Sequence, residues 1–301
     1  MSAATPTKTA PRPSPREVRA KRVRFVAVLT VTLIVSLPFI WMISLAFSPP
    51  EDVFSYPPQL LPTEPTLDNF TSVLTSTNLP VSFLNSMAVS GLVTLTSISG
   101  AVVAGYAFAR LQFPGRDLLF FVLIASAMVP VVVQLIPLFL LTQSFPLFGG
   151  NDLLGRGGTG LIDTRIGLAL PHMIHPLTVF LARQYFMDMP GELAEAGRVD
   201  GASEARIFFS IYLPLARPII ATIAVLAFVG AWEDFLWPLV VVTSTATETL
   251  PLTLSRFASS GAIQFGPLMA ATFLATLPVL TFFALNQRHF MQGLTSGGVK
   301  G

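Results

Sequence analysis

Residues 195–214 read EAGRVDGASEARIFFSIYLP, a polar and charged stretch that separates long apolar segments of the chain. The stretch contains Glu195-Ala196-Gly197, then Gly201, then Ile211-Tyr212-Leu213-Pro214. We expect a segment in this position to contact no lipid and to fill no hydrophobic core. The sequence therefore predicts that residues 195–214 project from the apolar part of the molecule as a contact surface.

The composition indicates a membrane protein. Of the 301 residues, 52% are hydrophobic and only 11% are charged, and the mean hydropathy is +0.68. Soluble domains carry about 25% charged residues, so this chain needs the lipid bilayer as its solvent. The net charge of +2 does not indicate a nucleic-acid partner, because the basic residues lie at the ends of apolar segments and form no basic face.

The sequence carries no signature of an active site or a metal site. It contains no cysteine, which excludes disulfides and thiolate ligands. His172 and His175 lack further ligands at a suitable spacing, so we expect them to be polar groups of a cavity or an interface. No nucleophile–base pair or phosphate-binding glycine loop is recognisable. We therefore expect no catalytic residue, no metal and no cofactor bound by this chain.

The predicted fold class is an all-α polytopic membrane protein. A spanning helix needs about 20 mostly apolar residues, and the sequence offers several such segments. Pro171 and Pro176 interrupt the fourth segment, so we expect its helix to be the least regular. The six predicted spans are residues 25–47, 86–109, 118–141, 166–186, 218–243 and 267–285.

Three regions follow from these spans. Residues 1–24 are predicted to form a disordered basic tail, because they cannot bury enough apolar area to offset their chain entropy. Residues 25–287 form the membrane domain, which includes a loop at 188–217, and residues 288–301 form a C-terminal tail. The apolar run after Arg24 is too long for the core of a signal peptide, so we expect it to be retained as the first span.

The basic residues predict the orientation in the membrane. All but three of the 18 Lys and Arg residues fall before the first span, after the sixth, between the second and third, or at or between the ends of the fourth and fifth. The exceptions are Arg156, Arg165 and Arg256. Because Lys and Arg accumulate on the cytoplasmic side, both termini and the loop at 188–217 are predicted to be cytoplasmic.

Local signals within the loop predict two short helices. Asp200-Gly201 is typical of a turn, and Gly201 adopts a positive φ at little cost. Ser203 is placed to cap the second helix, with Glu204 in its first turn. Two interpretations remain open from the spacing alone: a stiff projection that docks onto a partner, or an ordinary amphipathic loop at the membrane surface.

Two acidic residues stand deep in the fifth predicted span. A charge at the centre of a spanning helix costs roughly 2.5–3.5 kcal/mol, so Glu233 and Asp234 are expected to face the bundle interior or a watery cavity. Trp237 lies four residues after Glu233, on the same face of an unbroken helix. A carboxylate beside an indole suits a sugar, but the alternative is packing between two subunits. Pro238 is expected to kink the helix at Asp234.

Asn85 and Gln134 are further polar groups within or near spans. Each has two interpretations. The side chain lines a solute path, or it forms a hydrogen bond between helices. The sequence alone does not separate these alternatives.

Several short stretches, in order along the chain, resemble one family of transport proteins. They are FLNS (83–86), AGYAFARL (104–111), PGR (114–116), PGEL (190–193), DGAS (200–203), WEDF (232–235) and GLTSGGVKG (293–301). Together with the 195–214 stretch, they make the chain similar to the carbohydrate permeases of ABC importers, typified by the smaller membrane subunit of the maltose transporter. The similarity extends from Phe25 to Gly301.

The resemblance implies that the chain is one subunit of a transporter in a prokaryotic cell membrane, and it implies the other subunits. These are a second, homologous permease subunit, two copies of an ABC ATPase subunit that bind ATP and Mg2+, and an extracytoplasmic sugar-binding protein or lipoprotein. It also implies that residues 195–214 dock onto the ATPase, with Gly197 standing where the family usually has alanine. The docking residues carried over are Glu195, Ala196, Gly197, Asp200, Gly201, Ala202, Ile211, Leu213 and Pro214.

The resemblance predicts inward transport of a mono-, di- or oligosaccharide by alternating access, without chemistry on the solute. Glu233, Asp234, Trp237, Asn85 and Gln134 are the candidates for the solute path. Glycerol-phosphate or a polyol is an alternative solute within the same family. A gradient-driven secondary transporter, with a proton site at Glu233 or Asp234, is an alternative from another class.

Overall fold

The structure, a computed structural model, describes residues 15–51, 53, 61–259 and 264–296, without the side chains of 15, 17, 18 and 288–296. Within these ranges, all regular structure is helical. A 3₁₀ segment (Leu170–His172) and a π-helical segment (Phe208–Tyr212) accompany the α-helices. The helices are α1 (Pro15–Ala46), α2 (Asp68–Ser76), α3 (Leu79–Arg110), α4 (Arg116–Ser126), α5 (Val131–Gln143), α6 (Arg165–Ala169), α7 (Pro176–Asp188), α8 (Glu192–Val199), α9 (Glu204–Ile207), α10 (Leu213–Leu215), α11 (Arg217–Trp232), α12 (Leu236–Val241), α13 (Leu250–Ser259) and α14 (Phe265–Ser296).

Three helices in the described part of the chain are long and apolar enough to cross a membrane, namely α1, α3 and α14. The number rises to five if each of two bent helix pairs forms one span. Helix α1 begins at Pro15, so residues 15–24 are helical and the predicted disordered tail is wrong there. Residues 1–14 lie outside the described residues. Helix α14 runs through the predicted boundary at 288 as far as Ser296.

The third predicted span, residues 118–141, is not continuous. Helices α4 and α5 meet at an angle of 105° across residues 127–130. Pro130 at this break lacks an N–H, and proline disfavours helical geometry in the residue before it. The side chain of Gln134 donates from Nε2 to the carbonyl of Val129 at 2.8 Å. Gln134 therefore satisfies a backbone group that the break leaves open.

The fourth and fifth predicted spans are also interrupted. In the fourth, Pro171 lies in the 3₁₀ segment between α6 and α7, and Pro176 opens α7. In the fifth, α11 ends at Trp232 and α12 begins at Leu236. Pro238 cannot donate a hydrogen bond to the carbonyl of Asp234, and the expected interruption is confirmed there.

Helix α3 occupies the centre of the bundle. It packs against α7 and α11, while α11 also packs against α14, and α1 lies on α14. The approach of α3 to α7 depends on Gly105, since an added Cβ would lie 2.8 Å from the backbone nitrogen of Arg183 and 2.9 Å from the carbonyl carbon of Ala182. A small residue at 105 thus sets the separation of these two helices.

Asp163 holds the connection between α12 and α13 in place. Its Oδ1 accepts hydrogen bonds from the backbone nitrogens of Thr243 and Ser244, at 3.1 and 3.2 Å, and from the hydroxyl of Thr247. Burial opposes ionisation of this carboxyl, but the bonds from Thr247 and Ser244 outweigh it and lower the pKa of Asp163 to about 2. Asp163 is therefore ionised at physiological pH and fixes the chain after α12.

Substitution of Gly105 by alanine tests the close contact of α3 with α7. Overpacking costs about 1–3 kcal/mol, so we expect Gly105→Ala to lower the unfolding temperature by several degrees in detergent. Gly91→Ala is the control, because a Cβ at position 91 of the same helix meets no atom within 4 Å. It should be neutral or stabilising, since alanine favours a helix over glycine by about 1 kcal/mol. Equal unfolding temperatures for the two variants would contradict the contact.

Candidate functional site: a docking loop anchored to the bundle

Residues 188–217, for which docking onto a partner is predicted, are called the docking loop below. The first two helices of this loop, α8 and α9, are joined by a tight turn. Helix α8 ends at Val199, and Gly201, two residues later, has a left-handed conformation with φ of 76°. The Gly201 N–H donates to the carbonyl of Arg198 at 3.0 Å, and the Ala202 N–H donates to that of Gly197 at 2.9 Å. This is the hydrogen-bond pattern of a Schellman cap. The turn predicted at Asp200-Gly201 is confirmed.

Polar contacts fix the second helix against the first. The Ser203 side chain accepts the N–H of Arg206 at 3.3 Å and caps α9, as predicted. Arg198 Nε donates to Glu204 Oε1 at 2.7 Å, which links α8 to α9. This hydrogen bond raises the pKa of the Arg198 guanidinium. The turn and the ion pair together give the loop one defined shape.

The inner side of the docking loop is part of a hydrophobic core. Its buried members pack with residues of α3 and α7, so the expectation that this segment fills no core is wrong. The tyrosine and phenylalanine rings approach closely, with Tyr106 4.8 Å from Phe208 and 5.2 Å from Tyr212 between centroids. The buried loop residues are Ala194, Ile207, Phe208 and Tyr212, against Tyr106, Ala182 and Phe186.

Gly197, which was predicted to lie at the partner contact, faces inward in this structure. A Cβ on Gly197 would lie 3.0 Å from Ile207 Cγ1 and 3.3 Å from Ile211 Cδ1. The missing side chain therefore allows α8 to lie directly on α9. Ile211, also expected at the contact, is half-buried beside Gly197.

The outward surface of the loop carries most of the other predicted contact residues. Glu195, Ala196, Asp200, Gly201 and Pro214 are exposed, whereas Ala202 and Leu213 are half-buried. Three large apolar side chains of the loop, absent from the predicted contact set, are also exposed: Val199 to 87%, Phe209 to 62% and Leu215 to 49%. Val199 lies four residues after Glu195 on α8, and this helical spacing was the available signal.

Arg110 anchors the root of the docking loop. It stands at the end of α3, and its Nε and Nη2 donate to the carbonyl of Phe186 at 3.0 and 2.6 Å. Nη2 also donates to the carbonyl of Met189. The guanidinium lies 5.2 Å from the ring centroid of Tyr212. One side chain thus ties α3 to the carbonyl end of α7, which is a favourable site for a cation.

The π-helical segment leads from α9 to Pro214. Proline has no N–H and clashes with the carbonyl four residues earlier, which here is Ser210. Instead, the N–H of Leu213 donates to the carbonyl of Phe208, five residues back. The widened turn places Tyr212 in the core while Phe209 remains exposed.

The expected pairing of Glu233 with Trp237 on one helical face is wrong, because the helix is interrupted between them. Trp237 is only 3% exposed, and its indole Nε1 donates to the carbonyl of Gly167 at 3.0 Å. Glu233 is exposed, and together with Trp232 it lines a cavity of about 510 Å³. Asp234 instead meets His172, with Oδ2 2.9 Å from Nε2.

Asn85 lies fully buried and bonds on both ends of its amide. Its Nδ2 donates to the carbonyls of Ala246 and Glu248 at 2.8 and 2.9 Å. Its Oδ1 accepts from Arg165 Nε at 2.9 Å. The bond to Arg165 of α6 corresponds to the interhelical alternative, whereas Ala246 and Glu248 lie in the connection between α12 and α13. The amide nitrogens of Asn85 and Gln134 both donate to backbone carbonyls in this conformation. The place of either residue in a solute path stays a prediction.

The chain belongs to the family described as "binding-protein-dependent transport system inner membrane component", whose model matches residues 97–296. This membership confirms the resemblance seen in the sequence. With the apolar helices described above, it makes the chain a multi-pass membrane protein and a transport component.

Curated relatives span the full length of the fold. The chain is 33% identical over 274 residues to the arabinooligosaccharides transport system permease protein AraQ of Halalkalibacterium halodurans, covering 90% of this chain and 93% of the relative. It is 32% identical over 291 residues to the trehalose transport system permease protein SugB of Mycobacterium tuberculosis, covering 94% and 99%.

A solved structure shares the fold. It is a chain of a bacterial ABC transporter involved in the import of the acidic polysaccharide alginate, with a TM-score of 0.78 and 22% sequence identity. The match covers 93% of this chain and all of that chain. The chain therefore shares the fold of that transporter chain.

Replacement of Arg110 by lysine tests the anchor. Lysine keeps the charge, but it presents a point charge in place of a fork of donors. A partly buried acceptor left unpaired costs about 1–3 kcal/mol, so we expect Arg110→Lys to lower the unfolding temperature in detergent. Arg116→Lys is the matched control, because Arg116 pairs with the exposed Asp117 and surface pairs contribute only about 0–1 kcal/mol. Equal losses in both variants would refute the anchor.

Proposed function

We propose that this chain is a membrane-spanning permease subunit of an ATP-driven, binding-protein-dependent importer that moves a mono-, di- or oligosaccharide inward by alternating access. The observation that carries the proposal is the docking loop. It has an outward face at Glu195, Ala196 and Gly201, a single defined shape, and an anchor on α3. Family membership and the sugar substrates in the names of its relatives support the solute class.

The partners proposed are a second homologous permease subunit, two copies of an ABC ATPase and an extracytoplasmic sugar-binding protein. ATP and Mg2+ belong to the ATPase, and this chain contributes no catalytic residue. The described residues hold no group of three or more His, Asp or Glu side chains arranged for a metal ion. Transport leaves the solute chemically unchanged, so recognition and movement are the tasks of this subunit.

We further propose six spans with both termini in the cytoplasm. Helices α1, α3 and α14 form the first, second and sixth, and the bent pair α4–α5 forms the third. The segments α6–α7 and α11–α12 form the fourth and fifth, each with a break that neighbouring helices cover. The distribution of Lys and Arg supports this orientation, and the docking loop then lies on the ATPase side.

The contacts of the docking loop suggest how ATP hydrolysis reaches the solute path. The ATPase must contact the loop differently in its open and closed states, since only differential contacts shift an equilibrium. Tyr212 and Phe208 are packed into α3 and α7, and Arg110 ties the two helices together. A displacement of the loop therefore moves the inner ends of α3 and α7 as one body.

Two alternatives are less well supported. Glycerol-phosphate or a polyol remains a candidate solute within the same family, although the acids Glu233 and Asp234 do not favour an anion. Transport driven by a proton gradient at these acids is disfavoured, because the chain belongs to a family of binding-protein-dependent systems.

Gly201→Asp tests the docking surface, with Gly201→Asn as its matched control. Asn and Asp both tolerate a left-handed conformation, and a Cβ at position 201 meets nothing within 4 Å. Both variants should fold. An uncompensated buried charge costs on the order of 3–5 kcal/mol, which is more than tenfold in affinity. We expect only Gly201→Asp to lose ATPase binding and sugar uptake in membrane vesicles.

The measurement is co-purification of the ATPase subunit with each tagged variant, together with uptake. Full ATPase retention and uptake by Gly201→Asp would exclude position 201 from the docking contact. Loss in both variants, with normal expression and unfolding temperature, would indicate that docking tolerates no side chain at all at this position.

A further inference from the structure

The α5–α6 loop, residues 144–160, carries large apolar side chains on its surface. Leu153 and Leu154 are exposed to 76% and 73%, and Leu147 and Phe148 are exposed as well. The N–H of Leu147 donates to the carbonyl of Asp152 at 3.3 Å, which brings the two pairs of apolar residues together. An exposed apolar patch marks a surface that another molecule or the membrane covers.

The backbone of the α5–α6 loop has a defined shape. Gly149 and Gly150 have positive φ angles of 59° and 85°, and the N–H of Asn151 donates to the carbonyl of Phe148 at 2.9 Å. These four residues form a closed, tight turn. A Cβ on Gly149 would overlap the carbonyl of Gly160, so the turn packs directly on the end of the loop.

A carboxylate fixes the segment that carries Leu153 and Leu154. Asp152 Oδ1 accepts the N–H groups of Leu154 and Arg156 at 2.8 and 2.9 Å. The N–H of Asp152 donates to the carbonyl of Arg156 at 2.9 Å. Because these backbone groups are bonded within the loop, the segment can lie against a medium with little water at a low cost.

Asn151 holds the α5–α6 loop on the last turn of α5. Its side chain is buried, and its Nδ2 donates to the carbonyls of Gln143 and Phe145 at 2.8 and 3.0 Å. A Cβ on Gly160 would overlap the carbonyl of Gln143, so the far end of the loop also packs there. The loop therefore lies folded on the end of α5 and does not project from it.

Helix α5 places this loop at the edge of the bilayer. Its exposed side is aliphatic at Ile136, Leu140 and Leu141, and the bent pair α4–α5 is apolar enough to cross a membrane. The loop begins one residue after α5 ends at Gln143. Its apolar side chains are thus at the depth where the third proposed span leaves the hydrocarbon core.

The residue types favour lipid over a protein partner. Leucine is under-represented among the residues that dominate protein–protein binding, whereas segments that lie in the membrane interface combine Leu and Phe with basic residues. Arg156 is exposed, and its guanidinium forms no ion pair with any residue that the structure describes. A free guanidinium beside Leu154 suits a lipid phosphate.

We propose that the α5–α6 loop is an interfacial anchor, with Leu147, Leu153 and Leu154 inserted at the boundary of headgroups and acyl chains and Arg156 among the phosphates. The assignment to the outer leaflet rests on the proposed function, whose orientation puts this loop outside. The anchor holds the outer end of α5 at a fixed depth while the docking loop moves the inner ends of other helices.

A fluorescent label at Leu154 tests the anchor. The chain contains no cysteine, so the Leu154→Cys variant takes a single nitrobenzoxadiazole label on this chain, and unmodified transporter treated in parallel gives the background. The whole transporter is placed in vesicles whose lipids carry a nitroxide near the headgroup or near the chain end. Interfacial segments insert only about 5–10 Å, so we expect about twofold quenching by the shallow nitroxide and less by the deep one.

Val199→Cys is the matched control. Val199 is an aliphatic residue of the docking loop that is exposed to 87%, and in the proposed function it faces the ATPase. Its label should be quenched by neither nitroxide. Equal quenching of the labels at positions 154 and 199 would overturn the anchor, because a feature common to all exposed aliphatic side chains would then explain the result.

The other outcomes separate the partners. A Leu154 label that is quenched by iodide in water, and by neither nitroxide, would overturn the anchor and leave a solvated loop. Loss of that iodide quenching on addition of the transporter's binding protein would identify a protein contact, which also overturns the anchor.

The orientation is tested separately with a charged methanethiosulfonate added to right-side-out membrane vesicles. We expect it to modify the Arg156→Cys variant and to spare the Val199→Cys variant. The reverse result would overturn the outer-leaflet assignment and the proposed orientation together. Nitroxide quenching needs no transport, so a lack of sugar uptake would contradict the proposed function while the test of lipid contact still stands.

Discussion

The close approach of α3 to α7 is the constraint on which the half of the structure that carries the docking loop depends. Gly105 brings the two helices together, and Arg110 continues the same contact one and a half turns later by reaching the carbonyl end of α7. The aromatic cluster around Tyr106 therefore rests on two helices of fixed spacing, and Tyr212 of the docking loop packs onto this cluster. Without the close spacing of α3 and α7, the docking loop would have no hydrophobic core to pack into and no rigid helix to which it is anchored.

Proline accounts for the irregularity of the other helices, and the irregularity has a consistent location. Breaks occur at Pro130, at Pro171 with Pro176, and ahead of Pro238. Each break exposes backbone groups that helical hydrogen bonds no longer satisfy. The side chains of Gln134 and Asp234 form hydrogen bonds with some of these groups. Asp234 Oδ2 also lies 2.9 Å from His172 Nε2, so one polar contact joins the break at Pro171 to the break ahead of Pro238.

Local chemistry was predictable from the sequence, whereas contacts between distant segments were not. The turn at Gly201, the cap at Ser203 and the kink ahead of Pro238 depend on a few neighbouring residues, and they are confirmed. Gly197 packs on Ile207, and the buried indole of Trp237 bonds to the carbonyl of Gly167. The hydrophobic periodicity of a sequence does not identify such partners. Likewise, hydropathy located the apolar segments but did not distinguish a straight helix from a broken one.

The packing of Gly197 on Ile207 has a consequence for building chimaeric transporters. A docking loop taken from a relative with alanine at this position would bring an extra methyl into a space where its nearest neighbour lies only 3.0 Å away. Positions 197 and 207 should therefore be exchanged together. A graft that transfers α8 without α9 would separate residues that pack against each other. A transplant of the entire segment between Met189 and Ala216 keeps the inner surface of α8 together with the side chains of α9 that pack on it.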